Sequence, residues 1–332
     1  MASIPTYLNF NQKSTLFKNG SENSFIVNTE EEFNNLIKGL NEICKEKSPL
    51  DVIFRGVKSA KYKLFNSAQR YWIQNDLSVK KDVTYYSFLL NLLEIAKSIP
   101  VVNHVFNRYG YLENKRDFPI LALLQNYGAP TPCLDWSYTI QSALYFASSA
   151  QECNCTDSID DYISVYRIDK YKHRGEFLNS KDCNNGVELK EFLEWNDCKP
   201  KSNSCYYLSD YEPDGFSLDE FSYNKPYPTR QPQIQKGLIQ TSIFNQNIVP
   251  QDGLLVFNPH EDKCLEEMFN ISVSEKGANL DLSKFYCYNI HKRLIPYIKS
   301  TILEPKSINY KFMFPNMYDI VNEIKKCWNC LT

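Results

Sequence analysis

The sequence predicts an α+β fold: one mixed domain with a twisted, mostly antiparallel sheet flanked by helices. Three observations carry that expectation. Stretches with helical spacing and stretches with strand-like alternation are interleaved without a regular strand–helix beat. No period of about 20–50 residues repeats. In 332 residues, tyrosine (23) and phenylalanine (20) are plentiful while glycine (11) is scarce, which suits an ordered core rather than a flexible chain.

Residues 1–28 are polar and irregular and are expected as an extension ahead of a domain spanning 29–328. A helix follows: Thr29 can cap it, Glu32 stands where a capping box needs it, and Phe33, Leu36, Ile37, Leu40 and Ile43 share one face. DVIFRG (51–56) reads as a short buried strand closed by a glycine. Residues 79–98, centred on YYSFLLNLLEIA, form a second helix. FPILALLQNYG (118–128) is a third, with Gly128 placed as its C-terminal cap. Pro130, Pro132, Cys133, Leu134 and Trp136 then make a stiff, buried connection into a helix over 139–150, capped by Ser137 or Thr139.

DYISVYRID (161–169) alternates like a strand. Residues 170–225 are rich in Asn, Asp, Lys and Ser and read as a polar insertion with one helix near VELKEFLEW. GLIQTSIF (237–244) and DGLLVFNP (252–259) are strands. FYCYNIHKRL (285–294) runs from strand into helix, and MYDIVNEIKKCW (317–328) closes the domain as a helix.

Charge and cysteine usage narrow the function classes. Lys plus Arg is 37 against 39 for Asp plus Glu, so no overall field favours nucleic acid or an anionic membrane. No stretch approaches the roughly 18 apolar residues of a spanning helix. MASIPTYLNFNQKST has no basic segment followed by an apolar run, so no signal peptide is expected. Eleven irregularly spaced cysteines fit reduced thiols and a cytoplasmic location. Cys327 and Cys330 form a CxxC without a second pair or a histidine cluster, so no metal site is expected.

Polar residues in apolar settings mark the candidate site. Arg55 ends a strand that would otherwise stay apolar. Gln125, Tyr127 and Gly128 close a helix, Thr131 lies in the stiff connection, and Asp135 and Ser137 flank Trp136. Gln233 and Gln235, two residues apart at the entry to a strand, share a face. Arg55 either pairs with Asp135 as a core ion pair or faces a ligand. No GxGxxG follows a strand and no GxxxxGK[ST] occurs, which excludes the common glycine-rich phosphate loops.

FRG at 54–56, LLQNYGAPTPCLDWSYTIQSALYFA at 123–147, QKGL at 235–238 and FMFPNMYDI at 312–320 together resemble the FRG-domain family. Asn126 stands where that family usually has His, and Pro132 where it usually has Arg. The order of elements is in turn similar to that of ADP-ribosyltransferases. That likeness implies a cytosolic enzyme binding NAD or a similar nucleotide, with Arg55, Asp135 and Gln235 at the reacting centre. Gly56, Gln125, Tyr127, Thr131, Trp136, Ser137 and Gln233 would then line the nucleotide. Trp136 or Tyr127 would stack on the nicotinamide.

One physical difficulty follows. Cleaving the nicotinamide–ribose bond develops positive charge on the sugar, which a carboxylate stabilises and an amide does not. With Gln233 and Gln235 at the late positions, either Asp135 supplies the charge or the domain binds without turnover. The alternatives are a nucleotide- or polar-ligand-binding sensor and a toxin-like effector on nucleic acid.

Overall fold

The computed structural model describes residues 2–17, 23–46, 52–79, 83–100, 120–121, 124–125, 128–149, 157–169, 206–207, 253–258, 260–267 and 285–313. Its strands are β1 (Ser24–Val27), β2 (Val52–Val57), β3 (Cys133–Ser137), β4 (Tyr162–Asp169), β5 (Tyr206–Tyr207), β6 (Gly253–Phe257) and β7 (Phe285–His291). Among the described residues they form one sheet in the order β1-β7-β4-β2-β3-β6-β5. The β1–β7 pairing is parallel and the other five are antiparallel, so the fold is α+β with a mostly antiparallel sheet.

The helices are α1 (Phe10–Ser14), α2 (Glu30–Glu46), α3 (Ser67–Gln74), α4 (Tyr85–Ser98), α5 (Ile140–Ala147), α6 (Ile295–Ile298) and α7 (Tyr310–Met313). The cap of α2 forms as its sequence predicts: Glu32 N–H donates to Thr29 Oγ1 at 3.2 Å, and Thr29 N–H donates to the Glu32 carboxylate at 3.1 Å. Helix α4 starts at Tyr85 rather than at 79, because Thr84 and Ser87 close a capping box there. Helix α3 has its own box between Asn66 and Gln69.

Strand alternation sends side chains to two cores. On one face Val52, Phe54, Ile163, Val165, Tyr288 and Ile290 pack against Phe33 and Leu40 of α2, Ala143, Leu144 and Ala147 of α5, and residues 294–313. On the other face Ile53, Leu134, Trp136, Tyr166, Ile168 and Phe285 meet Phe17, Leu64 and Leu265.

Two expectations are corrected. The connection 133–137 is not a loop: it is β3, paired with all five residues of β6. Leu134 and Trp136 go to one core, Cys133 and Ser137 are buried on the opposite face, and Asp135 is the one exposed residue of the strand. The described part of residues 1–28 is also not irregular. It contributes α1, the edge strand β1 and the core residue Phe17, whose burial holds this segment to the sheet by roughly 1.5–3 kcal/mol. The helix near 187–195, the strand at 237–244 and the helix at 317–328 lie outside the described residues.

Segment 1–17 also delivers a buried lysine. Lys13 Nζ donates to Ala60 O at 2.9 Å, Ser164 Oγ at 2.8 Å and Asn289 Oδ1 at 2.9 Å. Its ammonium lies 5.0 Å from the centre of the Tyr166 ring and 5.5 Å from that of Tyr7. Glu266 is buried in the same layer, where both carboxylate oxygens accept from Leu64 N–H and one accepts from Tyr166 Oη at 3.3 Å. Burial pulls the Lys13 ammonium below its usual range and pushes the Glu266 carboxyl above its own.

The raised Glu266 value has a direction in pH. Between the unfolded value, about 4.3, and the higher folded value, the native state holds a proton that the unfolded chain has released. Stability therefore falls as pH rises through that window. Urea titrations across it should show a slope that is flatter in Glu266→Gln; equal slopes would refute the burial of this carboxyl.

Candidate functional site

The Phe-Arg-Gly strand β2 lies at the middle of the sheet, and its neighbour on the site side is β3. The β2–β3 ladder is one register pair long, Phe54 with Ser137, whereas β2–β4 runs over six. At this short seam the Arg55 side chain turns to β3, and its Nη1 donates to the main-chain carbonyl of Asp135.

The Asp135 carboxylate is not the partner of that bond. It is exposed, and its Oδ2 accepts from Gln125 Nε2 at 2.7 Å. Thr131 Oγ1 donates to Gln125 Oε1, which fixes the amide so that its NH2 faces Asp135. The Thr131 amide in turn donates to Ser67 Oγ at 3.0 Å, tying the turn before β3 to the first turn of α3. Thr131 is fully buried and acts by holding Gln125.

Arg55, Gln125, Thr131 and Asp135 thus meet at one corner, although 70 positions separate the first from the second. Gly56, Trp136 and Ser137 are engaged in packing and capping beside this corner. A Cβ on Gly56 would stand 1.7 Å from the Ala143 carbonyl oxygen, so this glycine is there to let α5 lie directly on β2. Trp136 is 3% exposed and packs 6.3 Å from Phe285, inside the core instead of at a ligand's face. Ser137 Oγ accepts from Thr139 N–H at 3.1 Å and helps begin α5, for which Thr139 is the N-cap. Tyr127, Gln233 and Gln235 lie outside the described residues.

Sequence reasoning missed Arg70. It stands on α3 and donates through Nη1 to Phe65 O at 2.6 Å. Burial lowers the pKa of both Arg55 and Arg70; the Asp135 charge opposes that lowering in each, and Arg70 adds to it at Arg55. Two guanidiniums therefore share one carboxylate. The Arg55 Nε–H is shut off from solvent and has no hydrogen-bond partner among the described residues. A lone buried donor costs about 1–3 kcal/mol. The only signal for α3 was its Asn66–Gln69 spacing, and nothing in SAQRYWIQ marks the arginine.

An α+β domain built on a Phe-Arg-Gly strand, with the arginine anchored across the seam to an Asp-Trp strand, is what the geometry defines. Residues 50–154 match the FRG domain, and the chain carries that domain there. No curated protein and no solved structure matches the chain. Among the described residues no helix is long and apolar enough to cross a membrane.

Proposed function

We propose that the FRG domain binds an NAD-like nucleotide at the Arg55–Asp135 corner and acts as an ADP-ribosyltransferase-type enzyme. One observation carries the reading: among the described residues the hydrogen bond of Arg55 goes to a main-chain carbonyl and not to a carboxylate. A guanidinium anchored by one nitrogen keeps its charge and further donors for a phosphate, which it can take in bidentate fashion. The Gln125 carboxamide and the Asp135 carboxylate beside it suit ribose hydroxyls.

For turnover, the exposed Asp135 carboxylate is the group in this cluster that can stabilise positive charge developing on a ribose. Gln125 orients it from one side. A binding-only sensor is the second reading, favoured by the hydrogen bond that occupies Asp135 Oδ2.

Titration of the purified chain with NAD, ATP and nicotinamide by calorimetry tests the binding. Arg55→Ala removes a bond to a neutral carbonyl and strands no buried charge, so it should lower stability by only about 1–2 kcal/mol while abolishing nucleotide affinity. A loss of roughly 3–5 kcal/mol would instead mark Arg55 as half of a structural ion pair. Absence of binding by all three ligands at millimolar concentration, with the protein folded, would sink the proposal.

A further inference from the structure

Building on the nucleotide reading above, we infer that Arg55 and Arg70 together form a subsite for a diphosphate, with Arg70 the second arm. The two guanidiniums come from different elements, β2 and α3, and each spends one Nη1 on a main-chain carbonyl, Asp135 O and Phe65 O. These bonds fix the two forks without consuming their charge. One carboxylate, Asp135, acts on both, so the trio carries a net positive charge in a partly desolvated corner.

Among the described residues the buried Arg55 Nε–H has no hydrogen-bond partner, so a small shift of the guanidinium toward an incoming oxygen would complete a bond that is unmade here. A monophosphate offers one group to one fork. Two linked phosphates present an oxygen face to each arginine and relieve the repulsion between them. Helix α3 is held for this task. Ala68 N–H donates to Thr131 O at 3.0 Å and Ser67 Oγ to the same carbonyl at 3.1 Å, so α3 and the turn that positions Gln125 move as one unit.

Calorimetric titrations with ADP, AMP, adenosine and inorganic pyrophosphate test the inference on the wild-type chain, Arg70→Gln and Arg70→Lys. Wild type should prefer ADP over AMP by at least about tenfold, the size of a lost charge-assisted bond. Arg70→Gln should erase that preference and weaken pyrophosphate to the same extent, leaving AMP within about threefold and lowering the melting temperature by no more than about 2–4 °C for the lost bond to Phe65 O. Arg70→Lys, which keeps the charge without the fork, should fall between. An ADP-to-AMP ratio that survives Arg70→Gln, or that is near one in wild type, overturns the diphosphate subsite while leaving nucleotide binding intact. Wild-type binding of pyrophosphate without any nucleotide keeps the subsite and removes the nucleotide reading. Failure to bind either removes both.

Discussion

Gly56→Ala should destabilise the protein by at least about 3 kcal/mol. The added methyl would lie 1.7 Å from the Ala143 carbonyl oxygen, 2.7 Å from its carbonyl carbon and 2.9 Å from Ala147 N. All three are backbone atoms of α5, so no side chain can rotate out of the way. Relief requires lifting the helix from β2, which opens the packing of Ala143, Leu144 and Ala147 on Phe54 and Val52. At roughly 2–4 °C per kcal/mol, the melting temperature should fall by more than about 6 °C. Near-wild-type melting would mean that the helix sits farther from the strand than described. Since Arg55 immediately precedes it, any surviving Gly56→Ala protein should also bind ligand poorly, through displacement of β2 and not through a lost contact.

The second large effect belongs to Lys13→Ala. This change removes an ammonium that satisfies Ala60 O, Ser164 Oγ and Asn289 Oδ1, and it deprives buried Glu266 of a positive neighbour. It also leaves a void the size of the lysine stem between Tyr7 and Tyr166. Breaking a buried charge network of this kind costs about 3–5 kcal/mol. Lys13→Met separates the causes, because it fills the space without the charge. Methionine also avoids the cost of burying an ammonium, so its loss should be smaller, about 1–3 kcal/mol. Denaturant unfolding of both variants reads the difference directly, and equal losses would assign the whole effect to charge and none to volume. A loss below about 1 kcal/mol in Lys13→Ala would contradict the burial of the ammonium.

These residues also show where the sequence speaks and where it is silent. Helix α2 was legible because its cap and its apolar face are local: Thr29, Glu32, Phe33 and Leu40 lie within one segment. Strands β2, β4 and β7 were legible because runs such as YISVYRID carry their own pattern. Strand β3 was not, because Pro130, Pro132 and a single acid suggest a turn, and its partner β6 lies about 120 positions away. Strand β1 is four residues long and earns its place only by pairing with β7. At the site, Arg55 and Asp135 stood out as charges in apolar surroundings. Trp136 and Ser137 did so for reasons of packing and capping, which look the same from sequence. Lys13 and Arg70 sit in polar stretches, FNQKS and SAQR, where a cation draws no notice until the fold shows what surrounds it.

The parallel pairing of β1 with β7 has a consequence for how the chain is made. Ser24 meets Cys287, about 260 positions later, and Lys13 meets Asn289 over a still longer span. At ribosomal speeds of about 5–20 residues per second, the N-terminal segment waits on the order of tens of seconds for its partners to be synthesised. Contacts this distant also slow the final docking step. Through that wait the segment must stay in water without sticking to other chains. A lysine suits both stages: hydrated and charged while the segment is alone, and fully hydrogen-bonded once β7 arrives to receive it.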